Sequence, residues 1–190
     1  ERERGVTVDI AKRVFETESR QAIILDAPGH RDFVPNAISG ISQADAALLV
    51  VDGSVGGFES GFEKRGKDSG QTREHAQLAK GIGIEQVAVV VTKLDKCADR
   101  AMERFQEIKS QLEPFLKSCG FQSSNIQWLP ASGITGENVV QRPTREHSSF
   151  GWWEGPTLVE AIDAFTVTQL SMTQKPLRIP IFSVADGKQE

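Results

Sequence analysis

Cysteine is scarce in these 190 residues: only Cys97 and Cys119 occur, without CxxC spacing. That excludes a disulfide framework and points to a reducing compartment. No apolar run approaches the roughly 18 residues a membrane span needs, and no secretory signal is present. A cytoplasmic protein with no membrane partner is expected. Positive charge is not in excess, since 22 Lys and Arg stand against 26 Asp and Glu for a net charge of −4. Bulk attraction to nucleic acid or anionic lipid is therefore excluded, although a local surface could still meet RNA. His30, His75 and His147 share no metal-ligand spacing with one another or with the cysteines, so no zinc site is expected. No GxGxxG follows a strand, which disfavours a dinucleotide-binding protein.

What remains is a soluble globular balance, with 38% apolar and 25% charged residues. The length suits one domain and a piece of a second. The first residue is Glu1, so the chain is expected to start partway through a longer protein.

Five stretches read as strands: 6–16, 21–26, 46–52, 86–92 and 125–131. The first two form an antiparallel hairpin, and the next two are apolar on both faces, as strands between helix layers are. Helices are expected around Phe33, Ala37 and Ile41, over 71–83, over 100–120 and over 156–165. In the third, Met102, Phe105, Ile108 and Leu112 share a face and Pro114 should kink or break the run. In the fourth, Pro156 lies in the first turn, and Leu158, Ile162 and Phe165 fall together. Alternating strands and helices predict an α/β fold with a mostly parallel sheet. Residues 175–184, KPLRIPIFSV, read as a linker and the first strand of a further domain, or as an extended tail.

In open α/β sheets the ligand crevice lies beyond the carboxyl ends of the strands. Three strands end in chemically useful clusters: DAPGH (26–30), TKLD (92–95) and ASG (131–133). Asp26 can take a magnesium ion, Gly29 can approach a terminal phosphate, and His30 would stand beside an attacking water. A lone DxxG is also an ordinary strand-to-helix turn. Guanine presents two adjacent donors, and the Asp95 carboxylate can accept both, while the stem of Lys93 lies along the base. By itself KxD is mostly a solvated turn. Ser132 and Gly133 can add backbone contacts to the guanine carbonyl. Thr7 can coordinate magnesium only if its loop folds over a nucleotide. Trp152 and Trp153 beside Phe150 could stack on RNA, but such clusters more often anchor a loop to the core.

With these clusters in order, ERERGVTVD, DAPGHRDFVPNAISG, GQTREHAQLAKGIGI, VVVTKLD and LPASGITGENV resemble the G domain of translational GTPases, the superfamily of elongation factor Tu and elongation factor 1-alpha. GFESGFEK, RFQEIKSQLEPFLKSCGF and FGWWEGPTLVEAID look most like the Pelota-partner ribosome-rescue GTPase and the class-II release-factor GTPase. The resemblance implies a three-layer phosphate-loop NTPase G domain over 1–172, with 173–190 leading into a β-barrel domain. It implies GTP or GDP as ligand, Mg²⁺ as cofactor, and a ribosome near its GTPase centre as partner. A release-factor-like protein, such as Pelota or a class-I release factor, is the second implied partner. Thr7 and Asp26 would serve the metal, with Val6 part of an apolar gate and Gly29 on the γ-phosphate. His30 would place the water; Thr92, Lys93, Asp95, Ser132 and Gly133 would read the base. Thr92 departs from the usual asparagine and offers fewer hydrogen bonds.

No GxxxxGK[ST] precedes the hairpin, so the family's first strand, phosphate loop and first helix are expected to lie upstream of Glu1. This chain alone is therefore expected to bind GTP poorly. Gly61, Gly66, Lys67 and Asp68 mimic a phosphate loop, but an aspartate replaces the metal-binding hydroxyl, and an extended surface loop is the better reading. The competing class of function is a binding module that lacks the phosphate loop and docks to a ribosome or partner without hydrolysing GTP.

Overall fold

The computed structural model describes residues 10–28, 38, 42–63, 70–144 and 148–166. The expected strand at 175–184 and most of the helix around Phe33, Ala37 and Ile41 lie outside them; Ile38 alone is described there, and it is helical.

All five expected strands appear, the last four to within a residue of their expected bounds; the first starts at Ala11, with Ile10 outside it. β1 (Ala11–Glu16) and β2 (Gln21–Asp26) pair antiparallel, with Ala11 opposite Asp26 and Glu16 opposite Gln21. β3 (Ala47–Asp52), β4 (Val87–Thr92) and β5 (Ile126–Ala131) form a parallel sheet in the order β3-β4-β5. The fold is the expected α/β arrangement, a parallel sheet plus an antiparallel hairpin. Among the described residues no ladder joins the two, so the hairpin stands as its own two-stranded sheet.

The middle strand β4 is covered on both faces and is apolar from Val87 to Val91, while on β3 Val50 is exposed. Val87, Val89 and Val91 point to one face, where they meet α1 (Gly57–Phe62), α2 (Gln71–Ile82) and α3 (Ala101–Ser118) through Phe58, Ala76, Phe105 and Ile108. Ala88 and Val90 point to the other face, against Leu129 and, from α4 (Leu158–Asp163) and just beyond it, Ala161 and Phe165. Period-2 alternation thus feeds two cores from one strand.

Three local expectations need correction. α3 runs unbroken through Pro114. The missing N–H and ring clash cost about 3 kcal/mol, but Leu112 and Leu116, both fully buried, flank that turn and outweigh the loss. Met102 is 49% exposed, and the buried stripe runs instead through Ala101, Phe105, Ile108, Leu112 and Leu116. Pro156 sits just before the helix: the N-cap is Thr157, whose hydroxyl accepts from Glu160 N while Glu160 Oε2 accepts from Thr157 N.

The stretch suggested as an extended loop begins inside α1, since Gly61 and the buried Phe62 are helical; Gly66, Lys67 and Asp68 lie outside the described residues. Trp152 and Trp153 pack on Phe105 with centroids 5.5 and 5.3 Å away, and their indole N–H groups donate to the carbonyls of Ser149 and Pro156. They are loop anchors. Among the described residues, no helix is long and apolar enough to cross a membrane.

Candidate nucleotide-base site

Parallel register puts the carboxyl ends of three strands in one row: Asp52 is paired with Thr92, and Thr92 with Ala131. The residues that follow are Gly53, Lys93 and Ser132. Three turns therefore emerge side by side from one edge of the sheet, which is where a ligand crevice forms in this class of fold.

Lys93 leaves the row at φ +59°, a left-handed conformation that side-chain-bearing residues rarely adopt. Such a conformation persists only where the surroundings hold it. The backbone on either side is tied by Gly53 N donating to Thr92 O and Lys96 N to Lys93 O, and the side chain is placed by Asp52: Lys93 Nζ donates to Asp52 Oδ2 at 2.6 Å. The other carboxylate oxygen accepts from Ser54 N at 3.0 Å and Ser54 Oγ at 2.6 Å. Partial burial opposes ionisation of Asp52, but the hydrogen bonds from Lys93 and Ser54, with the lysine charge, hold its carboxyl below the ordinary range.

Backbone proximity makes this arrangement possible. A Cβ on Gly53 would lie 2.8 Å from both Thr92 O and Leu94 Cδ2, and one on Gly57 would lie 2.7 Å from Asp52 Oδ1. Only glycine fits at either position. Thr92 spends its single hydroxyl proton on Val51 O at 3.1 Å, and its own carbonyl accepts from Gly53 N at 2.8 Å. The threonine thus ties β3 to β4. Asp95 stands in the first turn of a 3-10 helix, Leu94–Arg100, half-buried, directly after the fixed lysine.

Ser132 is 2% exposed and its groups are engaged within its own turn. Its N–H donates to Glu137 O, its carbonyl accepts from Gly136 N, and its Oγ accepts from Thr135 N. Gly133 is exposed, with nothing within 4 Å of where a Cβ would stand. The turn is supported from below by Asn138, fully buried at φ +57°, whose Nδ2 donates to Pro130 O at 2.7 Å.

The structure therefore brings Thr92, Lys93, Asp95, Ser132 and Gly133 to one edge. Asp26 closes β2 in the separate hairpin, and among the described residues nothing hydrogen-bonds its carboxylate. Val6, Thr7, Gly29 and His30 lie outside the described residues. Among the described residues no cluster of three His, Cys, Asp or Glu could hold a metal. Sequence reasoning passed over Asp52, Glu59, Arg104 and Asn138. The first was within reach, since VVDGS is a strand end of the same kind as TKLD. Glu59 accepts from Gly56 N three residues before it, a helix-start spacing, whereas Arg104 and Asn138 act on the backbone of turns elsewhere, which no local spacing signals.

The elongation factor Tu GTP binding domain family matches residues 1–168. Protein HBS1 of Drosophila melanogaster is 43% identical over 187 residues, 98% of this chain and 27% of that protein. Elongation factor 1-alpha of Desulfurococcus mucosus is 48% identical over 185 residues, 97% of this chain and 40% of that protein. Among solved structures, Sup35 complexed with GDP aligns with a TM-score of 0.62 at 37% identity, covering 80% of this chain and 34% of that one. The chain spans well under half the length of these relatives. By its motifs, its fold and the match over residues 1–168, it belongs to the elongation factor Tu GTP-binding domain family of translational GTPases.

Proposed function

We propose that the chain is part of the G domain of a translation factor that binds and hydrolyses GTP on the ribosome. The finer reading is ribosome rescue or termination beside a release-factor-like protein, and the likenesses to HBS1 and Sup35 support it. The observation that carries the proposal is the strand-end row, in which Lys93, at positive φ, pairs with Asp52 and Asp95 follows in the next turn.

In this reading the Asp95 carboxylate accepts from the ring N–H and exocyclic amine of guanine, the stem of Lys93 lies along the base, and the exposed N–H of Gly133 donates to the guanine carbonyl. Ser132, with its own N–H already engaged, shapes that turn. An exposed strand-end carboxylate suits a hard cation, so Asp26 with Thr7 would hold Mg²⁺, which when bound neutralises phosphate charge. Gly29 would meet the γ-phosphate and His30 would orient the attacking water; Val6 would help gate it. Residues 173–190 would lead into a β-barrel domain.

A fluorescent GDP titration of the full-length protein, with competing nucleotides, tests the base site. Asp95→Asn is expected to weaken guanine binding by about 2 kcal/mol, roughly 30-fold. Xanthine, which carries a carbonyl in place of the amine, should gain relative to guanine. Unchanged guanine preference in a folded variant would refute the base site. His30→Ala should retain nucleotide and lose ribosome-stimulated turnover by about 10²-fold.

A further inference from the structure

Arg104 lies on α3, well behind the strand-end row, and is 7% exposed. Its Nε donates to Gly53 O at 3.0 Å and its Nη2 to Ser54 O at 3.2 Å. Nη2 also meets both oxygens of Glu59 at 2.8 and 2.9 Å, and Nη1 meets Glu107 Oε2 at 2.9 Å. Glu59 in turn accepts from Gly56 N at 2.9 Å, so the guanidinium grips the turn between β3 and α1 at both ends.

The Gly53 carbonyl and the Ser54 N–H belong to one peptide unit. Its oxygen is held by Arg104, and its N–H donates to Asp52 Oδ1. A peptide unit is planar, so fixing the oxygen fixes the direction of the N–H. That N–H, with the Ser54 hydroxyl, leaves Asp52 Oδ2 for Lys93. We propose that Arg104 is a positioning residue for the base site, setting the place of Lys93 through the Gly53–Ser54 peptide and the Asp52 carboxylate. The proposal rests on the base-reading role given above to Lys93 and Asp95. A planar, five-donor guanidinium suits this task, because a three-donor lysine cannot hold two carbonyls and two carboxylates in one fixed geometry.

The test uses the full-length protein with two readouts. One is the acetylation rate of the Lys93 amine, followed by mass spectrometry without nucleotide; the other is affinity for fluorescent GDP. Arg104→Met is expected to raise Lys93 acetylation to the level of Asp52→Asn and to weaken GDP binding about tenfold, a change of about 1.4 kcal/mol. Combined with Asp52→Asn it should add little, because both act on one chain of contacts. Arg104→Lys should fall between. Glu59→Gln, at a less buried position, serves if Arg104→Met does not fold, and about threefold weaker binding is expected.

Unchanged Lys93 acetylation in folded Arg104→Met, or in Glu59→Gln if that variant alone folds, overturns the proposal. So does faster acetylation with undiminished GDP affinity where Asp95→Asn loses affinity. If Asp95→Asn also leaves affinity intact, it is the base-reading role that fails, and with it the proposal's premise. Additive losses in the double variant would reduce Arg104 to a stabiliser of the turn and overturn the positioning role.

Discussion

The two sheets of this molecule both carry large apolar side chains and put them to different use. In β4 every position from Val87 to Val91 is at most 3% exposed, whereas Val14 and Ile23 of the hairpin are 61% and 60% exposed. The middle strand of the parallel sheet has helices on both faces and can be apolar throughout, although Val50 on the neighbouring β3 is 63% exposed. The hairpin is held chiefly at its turn: Thr17 Oγ1 donates to Asp163 Oδ1 at 2.7 Å, and Arg20 donates to the carbonyls of Phe165 and Asp163 at 2.8 and 2.6 Å. The strand-end row of Thr92, Lys93, Asp95, Ser132 and Gly133 therefore stands on the well-covered sheet, and Asp26 on the hairpin, whose turn is tied to α4.

The sharpest way to break this contrast is to remove a ring from the well-covered side. Phe105 is 1% exposed and touches both Trp152 and Trp153, so Phe105→Ala is expected to cost about 3–5 kcal/mol in urea denaturation. The hairpin equivalent, Ile23→Thr, should stay within about 0.5 kcal/mol. Comparable losses in the two variants would mean that the hairpin is as tightly integrated as β4.

A smaller effect is expected at the joint between the two regions. Arg20→Met removes two donors from carbonyls at the end of α4 and one contact to Asp163, which is part-exposed. A loss of about 1–2 kcal/mol is expected. Native-state hydrogen exchange should place it in the hairpin, with β1 and β2 amides opening faster while β4 keeps its protection. Uniform loss across both sheets would show that the joint is part of the global core.

How much of this was legible in the sequence follows the same division. Alternation and uninterrupted valines placed four of the five strands, β2 to β5, to within a residue, because β propensity and burial agree there. TKLD and ASG were found because they follow such strands. The helix ends were less readable: Pro114 and Pro156 were read by local preference, and tertiary burial overrode the first while the Thr157 capping box displaced the second. Arg104 was invisible as a functional residue. In the sequence it is one charge on an amphipathic helix, and only folding brings it 3.0 Å from a carbonyl fifty-one positions away.

The least disruptive probe is acid, because each region leans on one depressed aspartate. Asp163 is held low chiefly by the hydrogen bond from Thr17, then by Ser19 and the charge of Arg20, against slight burial. For Asp52 burial opposes, and Lys93 and Ser54 prevail. A carboxyl whose folded pKa lies below its unfolded value stabilises at neutral pH, and that contribution disappears as pH falls through the folded value, below about pH 4. Both aspartates therefore predict weakening on the acid side, but in different places. Asp163 should release the hairpin turn, and Asp52 should release only Lys93 and the β3 turn. Protection factors measured from pH 6 towards pH 3 should fall first in β1 and β2 and leave Val89 and Val91 unchanged. In Asp163→Asn the hairpin should already be loosened at pH 6 and show no further acid step. An acid step of full size in that variant would assign the hairpin's anchoring to groups other than Asp163.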